Sequence, residues 1–370
     1  MALSYCSECN MIKNYLNCKK PNCNNEKSYG TKDFRYKSYS KKDIRKFFSS
    51  NDLSYLKSIL PLKNKHNFEF PNLYIRSFQD LNKKMKNDIF FIEDYYNFSG
   101  SFKDRASLVS CLDAIEKGYN EISVASSGNA AISTAIYCNI FKLKCTVFLP
   151  SFTSSRKKEY LRTLGCKLIV LDLPYSEVVK RSLKYSKRYK TYNRCTGLNP
   201  VTREGKKIFS YQLISKFTKQ IDYIFIPVGD GNIISGCCKG FYELKKMGFI
   251  KKIPKIVGVQ SSSSSSFYRQ FNLKKTIPSK SIAKSICDSI NIDFPLDGYF
   301  AFYYLNKLKG NMVKVNDKSI KKSKELLLKK YGINSCLTSA STFSAVGEFI
   351  KKKRISKENI LLLLTGSGLK

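Results

Sequence analysis

Ile122-Ser-Val-Ala125 runs directly into Ser126-Ser-Gly-Asn129, and Ala130 to Phe141 follows with helical spacing. A short apolar run, a turn of small polar residues and a helix make one strand–turn–helix unit. The unit then repeats. Cys145 to Leu149 reads as a strand closed by Pro150, Ser154 to Leu164 as a helix ended by Gly165, Lys167 to Leu171 as a strand, and Tyr175 to Arg188 as a helix. Strands alternating with helices at this spacing predict a parallel sheet covered by helices on both faces, an α/β fold. Upstream, Asn72 to Phe78 and Ile89 to Glu93 read as strands around a Lys-rich turn or helix, preceded by short helices at Asp43 to Phe48 and Asp52 to Ile59. Downstream, the helix Gly205 to Lys216, the apolar strand Tyr223 to Val228 and the helix Ile234 to Lys246 continue the pattern. The strand Lys255 to Gln260 leads into a hexaserine, Ser261 to Ser266, expected to be a flexible loop without chemistry. Helices at Asp317 to Lys330 and around Ser341 to Lys353, and the strand Ile360 to Leu364, complete the series.

A chain of 370 residues predicts two domains and a sizeable core. The longest apolar run, Ile360 to Leu364, is one buried strand and far too short to span a bilayer. The opening Met1-Ala-Leu-Ser-Tyr-Cys6 lacks a basic and apolar leader, so a cytoplasmic location without membrane attachment is expected. The net charge of +38 would suit a nucleic-acid partner, but the lysines are spread through every segment rather than gathered in a patch. The charge is therefore read as compositional, and as favourable to small anionic substrates. The single histidine, His66, leaves acid–base work to lysines, carboxylates, hydroxyls or a cofactor.

Four strand ends carry the candidate chemistry. Ser99-Gly-Ser-Phe-Lys103-Asp-Arg105 places a lysine in a turn of small residues, where loss of its proton makes the amine a nucleophile toward aldehydes. Ser126-Ser-Gly-Asn129 offers amide and hydroxyl groups. Gly229-Asp230-Gly231-Asn232 follows a strand and opens a helix, an arrangement suited to a phosphate. Thr365 lies just past the last strand, where its hydroxyl can meet a ring nitrogen. In parallel sheets, ligands bind at such carboxyl ends. A nucleophilic lysine, an amide turn, a glycine loop and a Thr-Gly pair together suit pyridoxal phosphate, an aromatic aldehyde bearing a phosphate.

Ser101-Phe-Lys-Asp-Arg105, Ser126-Ser-Gly-Asn-Ala130, the strand with its Gly-Asp-Gly-Asn loop, and Leu364-Thr-Gly-Ser-Gly-Leu-Lys370 resemble the threonine synthases. These belong to the tryptophan-synthase-β-like, fold type II pyridoxal-phosphate enzymes. The resemblance implies two doubly wound parallel-sheet domains with the cofactor between them. Residues 31–105 and 196–370 would form the large cofactor-binding domain, and 106–195 a smaller mobile α/β domain. It further implies that Lys103 bonds the cofactor's aldehyde and shuttles protons, and that Asn129 hydrogen-bonds its phenolic oxygen. Gly229, Asp230, Gly231 and Asn232 would cradle its phosphate, and Thr365 would face the pyridine nitrogen. The implied reaction turns O-phospho-L-homoserine and water into L-threonine and phosphate, carried out by a homodimer as is common in the family, with Ser126, Asn199 and Arg203 as candidates for holding the substrate's phosphate or carboxylate. Related reactions are cysteate-synthase-like β-replacement and serine or threonine dehydration. A basic nucleic-acid-binding protein on a degenerate scaffold is the reading from outside enzymology. Three stretches differ from the family pattern: Glu69-Phe-Pro-Asn-Leu73, Arg203 one place late in Asn199-Pro-Val-Thr-Arg203-Glu-Gly205, and Ser367 where a histidine is usual.

Residues 1–30 form a separate cysteine-bearing arm, similar to that of archaeal-type threonine synthases. Cys6 and Cys9, then Cys18 and Cys23, have the spacing of a four-cysteine structural zinc ribbon, with a reduced metal-free remnant as the alternative. Cys111, Cys138, Cys145, Cys166, Cys237 and Cys238 are read as small core residues.

Overall fold

A computed structural model describes residues 59–63, 68–274, 279 and 282–368, together with the backbone of three strands in the N-terminal arm. Those strands, β1 (Ala2–Cys6), β2 (Met11–Ile12) and β3 (Lys32–Tyr36), form an antiparallel sheet with β1 in the centre. Cys9, Cys18 and Cys23, the side chain of Cys6, the helix expected at 43–48 and all but the last residue of that expected at 52–59 lie outside the described residues. Among the described residues, no group of three or more His, Cys, Asp or Glu side chains is placed to hold a metal ion.

The chain folds as two compact units, Met1–Phe70 with Lys103–Lys206, and Pro71–Phe102 with Lys207–Lys370. The second is built on a six-stranded sheet. Its strands are β4 (Ile75–Ser77), β5 (Asp88–Glu93), β10 (Tyr223–Pro227), β11 (Lys255–Ser261), β12 (Asn311–Val315) and β13 (Asn359–Leu364), in the order β12-β11-β10-β13-β5-β4. All pairs are parallel except β4 with β5. The central strands Tyr-Ile-Phe-Ile-Pro and Asn-Ile-Leu-Leu-Leu-Leu are buried almost throughout, as parallel strands covered on both faces must be. The edge strand β12 instead buries only Met312 and Val315 and exposes Asn311 and Lys314. The first unit carries β6 (Glu121–Ala125), β7 (Lys144–Pro150), β8 (Lys167–Leu171) and β9 (Tyr192–Asn193), all parallel, in the order β8-β7-β6-β9.

Among the described residues the helices are α1 (Gln79–Met85), α2 (Asp104–Glu116), α3 (Asn129–Ile140), α4 (Ser155–Thr163), α5 (Tyr175–Tyr189), α6 (Val201–Lys216), α7 (Asn232–Lys246), α8 (Ser266–Asn272), α9 (Gly298–Lys307), α10 (Asp317–Tyr331) and α11 (Leu337–Lys353). In α10, the Asn316 side chain accepts the Ser319 N–H at 2.7 Å to cap the first turn. Gly332, at φ +61°, ends the helix. One apolar core runs beneath the sheet of the second unit, where Phe225, Leu362 and Leu364 meet Val346, Phe349 and Ile350 of α11. Cys111, Cys138, Cys145, Cys166, Cys237 and Cys238 are buried thiols, as their apolar neighbours in sequence implied. No helix among the described residues is long and apolar enough to cross a membrane.

The hexaserine is not the flexible loop expected. Ser261 ends β11, Ser262–Ser264 form a 3-10 turn, Ser266 opens α8, and Ser264, Ser265 and Ser266 are buried. The hydroxyls supply what a serine run cannot show by composition. Ser261 Oγ donates to Asp317 Oδ1 at 2.5 Å and accepts the Ser263 N–H at 3.0 Å, while Ser264 Oγ donates to the Ile290 carbonyl at 3.1 Å. Ser285 Oγ and the Ile286 N–H also donate to Asp317. Burial pushes the Asp317 carboxyl up, but these hydrogen bonds outweigh it and hold the group below the ordinary carboxylate value. A carboxyl depressed on folding contributes stability above its unfolded value of about 3.9, lost as pH falls through the folded value. Asp317→Asn is therefore expected to flatten the acid limb of the stability curve below about pH 4, measured by urea unfolding at stepped pH. An acid limb identical to the wild type's would show that this carboxylate carries none of it.

Candidate active site

In the second unit, the C-terminal end of the sheet gathers three of the stretches singled out in the sequence. Parallel register brings the end of β13, with Thr365 beyond it, beside the end of β5, where Leu364 pairs with Glu93. Beyond β5 the chain turns through Asn97 to Phe102. The Asn97 side chain accepts the Ser101 N–H at 3.0 Å and donates to the Ser101 carbonyl at 3.1 Å. Gly100 takes φ +63°, and Ser99 and Ser101 share a hydroxyl hydrogen bond. This turn is stitched to the terminal Thr-Gly-Ser. The Phe102 N–H donates to the Thr365 carbonyl at 2.9 Å, Ser101 pairs with Gly366, and the Ser367 N–H donates to the Gly100 carbonyl at 3.1 Å. Lys103 follows Phe102 directly.

Two buried groups absent from the sequence reading support this arrangement. Glu93, at the end of β5, accepts from the Arg76 guanidinium and, at 2.5 Å, from the Tyr95 hydroxyl. Burial and this carboxylate hold the Tyr95 hydroxyl far above the ordinary phenol value, so it stays a donor. Ser339, near the start of α11, accepts the N–H groups of Thr365 at 2.9 Å and Gly366 at 3.0 Å and donates to the Gly366 carbonyl. Arg76 lies 17 residues before Glu93, and Ser339 is 26 and 27 residues from the N–H groups it accepts, so no local signal marked these pairings. Ser339→Ala leaves two buried N–H groups without their acceptor, a cost of about 1–3 kcal/mol. Urea unfolding should register that loss, and a midpoint equal to wild type would contradict the bonding.

The glycine loop joins β10 to α7. Gly231 has φ +88°, and a Cβ there would lie 2.9 Å from the Ala301 Cβ and 3.2 Å from the Asp297 carbonyl oxygen. At Gly229 a Cβ would lie 2.8 Å from the Ser289 carbonyl oxygen and 3.0 Å from Ile290 Cα. Both positions therefore require glycine, and the loop is braced from behind by residues 289–301. The Asp230 carboxylate accepts the Asn232 N–H at 3.0 Å, turning its charge into a cap of the loop's own backbone. A glycine-braced turn at the positive end of a 15-residue helix fits the phosphate of a cofactor.

In the first unit, Lys103 is the half-buried N-cap of α2, its carbonyl accepting the Ala106 and Ser107 N–H groups at 3.1 and 3.0 Å. Helix α3 packs on α2, joined by Ser133 Oγ donating to Ser107 Oγ at 2.7 Å. Asn129, half-buried, begins α3. Ser126 accepts the Gly128 N–H on its Oγ at 3.2 Å. The Asn199 amide donates to the Asn193 carbonyl and accepts the Val201 N–H, both at 3.0 Å, so it caps α6. Arg203 is buried in the first turn of that helix. Gly205 packs against the backbone of α2, where a Cβ would meet the Arg105 carbonyl oxygen and lie 2.9 Å from Ala106 Cα.

A family model described as pyridoxal-phosphate dependent enzyme matches residues 72–366. The chain belongs to this family. The enzyme is 29% identical to the threonine synthase of Methanocaldococcus jannaschii over 279 residues, 74% of this chain and 68% of that protein. It is 25% identical to the threonine synthase of Mycobacterium tuberculosis over 276 residues, 74% of this chain and 75% of that one. Among solved structures, maize serine racemase superimposes with a TM-score of 0.70 at 17% identity, covering 80% of this chain and 88% of that one. The processed threonine deaminase isoform 2 of Solanum lycopersicum gives 0.70 at 18% identity and 80% of each chain. The parallel-sheet α/β architecture, which the alternation of strands and helices predicted, is that of fold type II pyridoxal-phosphate enzymes, as the resemblance implied.

Proposed function

We propose that the enzyme is a threonine synthase, a lyase converting O-phospho-L-homoserine and water into L-threonine and phosphate. The observation that carries the reading is the hydrogen bond from Phe102 to Thr365, which ties the lysine turn to the terminal Thr-Gly-Ser-Gly. Similarity to curated threonine synthases in an archaeon and in bacteria supports it.

Pyridoxal phosphate, when bound, supplies an electron sink for negative charge developing beside the substrate's amino group. Lys103 would hold the cofactor through its Nζ and, once released, carry protons at that atom. The backbone of Gly229 to Asn232 would bind the phosphate, with the Asp230 side chain kept in its cap. Asn129 would orient the ring through its phenolic oxygen. Thr365 would present a neutral hydroxyl to the ring nitrogen, leaving that nitrogen without a full charge and moderating the sink. Arg203 and Ser126 are proposed to hold the substrate's phosphate or carboxylate, with Asn199 contributing through the cap that sets the turn before Arg203. A small-molecule substrate of net negative charge accords with a chain of net charge +38.

The test is incubation of the cofactor-loaded enzyme with O-phosphohomoserine, recording phosphate release and the amino-acid product. Equal amounts of phosphate and threonine are expected. A loaded enzyme that releases no phosphate, but acts on phosphoserine or dehydrates threonine, would replace the substrate assignment. Three further parts of the reading rest on sequence: a homodimer, a cytoplasmic location, and a structural zinc on Cys6, Cys9, Cys18 and Cys23. Light scattering, cell fractionation and metal analysis check them in turn.

A further inference from the structure

Asp297 occupies the N-cap of α9, the position from which an aspartate ordinarily accepts an N–H of its own helix. It makes no such bond. Its carboxylate, in a fully buried residue, points instead to the glycine loop and the helix that follows it. Oδ2 accepts from Asn232 Nδ2 at 2.9 Å and from Ser235 Oγ at 2.5 Å, partners 65 and 62 residues away in the chain. Its own N–H donates to the Asp230 carbonyl at 2.9 Å, and its carbonyl stands behind Gly231 where any Cβ would crowd it. One residue thus holds the loop from Asp230 to Ser235 by main chain and side chain together.

We propose that Asp297 is the positioning residue of the phosphate-binding loop. This rests on the reading of Gly229 to Asn232 as that loop. A carboxylate suits the position because one oxygen can accept from both an amide and a hydroxyl, and charge-assisted bonds of this kind are short and strong. Its surrender as a helix cap gives the loop a fixed conformation before any phosphate arrives, and a prepaid conformation is what raises affinity for a small ligand. The effect is expected at the phosphate end of the cofactor, because the Asp297 bonds described above go to the glycine loop and the start of α7.

The test titrates full-length cofactor-free enzyme with pyridoxal phosphate and with pyridoxal, which lacks the phosphate, following the visible absorption of the bound aldehyde. Wild type should bind pyridoxal phosphate much more tightly than pyridoxal. Asp297→Ala should raise the dissociation constant for pyridoxal phosphate about 10- to 100-fold, leaving pyridoxal within about twofold. Asp297→Asn, which keeps one acceptor oxygen, should recover most of the loss. Should Asp297→Ala not fold, Ser235→Ala is measured with the same two ligands, and a selective loss of about threefold or more is expected. Equal affinity for pyridoxal phosphate in variant and wild type, or a parallel loss of both ligands, overturns the assignment of Asp297. A wild type that binds the two ligands equally overturns the reading of the loop itself.

Discussion

Replacing Lys103 with alanine is expected to lower turnover by on the order of 10³-fold or more and to remove the visible absorption of the bound cofactor. The fold should survive. This turn is shaped by main-chain bonds, by the Asn97 side chain and by the Ser99–Ser101 hydroxyl pair, and Lys103 gives its helix its carbonyl but no side-chain cap. Alanine keeps that carbonyl and favours helix, so the unfolding midpoint should stay near wild type. Lys103→Arg is the sharper control, since it keeps the positive charge but cannot act as a nucleophile at neutral pH. It should be as inactive as the alanine variant. A Lys103→Ala enzyme that stayed yellow and turned over substrate would remove the lysine from the chemistry.

Gly205→Ala is expected to destabilise the protein by about 2–4 kcal/mol, a large effect for one methyl group. The added carbon would meet the Arg105 carbonyl oxygen, with Ala106 Cα and the Arg105 carbonyl carbon both 2.9 Å away. These are backbone atoms, two and three residues beyond Lys103, so relief requires α6 or the start of α2 to move. Activity should fall with stability for that reason. Gly347→Ala provides the contrast. It lies inside α11, its only near neighbour is Met85 Cε at 3.9 Å, and its φ is ordinary. There, alanine should stabilise by about 0.5–1 kcal/mol through helix propensity alone. Urea unfolding of both variants checks the pair, and a Gly205→Ala midpoint equal to wild type would refute the close approach of the two helices.

Where sequence and structure part, the cause is physical. The alternating core elements were legible because their patterns are local: apolar runs such as Ile360 to Leu364, turns such as Ser126 to Asn129, and helices that follow within a few residues. Between residues 267 and 316 the sequence offered little. Gly298–Lys307 is rich in Tyr and Phe, which have middling helix propensity, and its aromatic residues are ordered by packing against one another, as with Phe267 and Phe302 at 4.4 Å. The edge strand Asn311–Val315 is short and its apolar residues Met312, Val313 and Val315 do not alternate with polar ones, so it does not declare itself. Six serines in a row carry no periodicity, and their order comes from bonds such as those to the Asp317 carboxylate and the Ile290 carbonyl, which lie outside the run.

By itself, the sequence determined the α/β class, the strand-end positions of Lys103, Asn129, Gly229 to Asn232 and Thr365, and the family these motifs resemble. Each of those depends on residues within one strand–turn–helix unit, where spacing along the chain maps directly onto spacing in space. Only the tertiary structure decided that Ser339 carries the Thr365 turn, that Glu93 anchors the strand before Lys103, and that Asp297 serves the glycine loop rather than its own helix. The Ser339 and Asp297 side-chain bonds join buried polar groups across 26 to 65 residues of chain, and Glu93 reaches back 17 residues to Arg76 on the neighbouring strand. A buried donor or acceptor must find a partner wherever folding brings one, and that choice is written in packing rather than in local order.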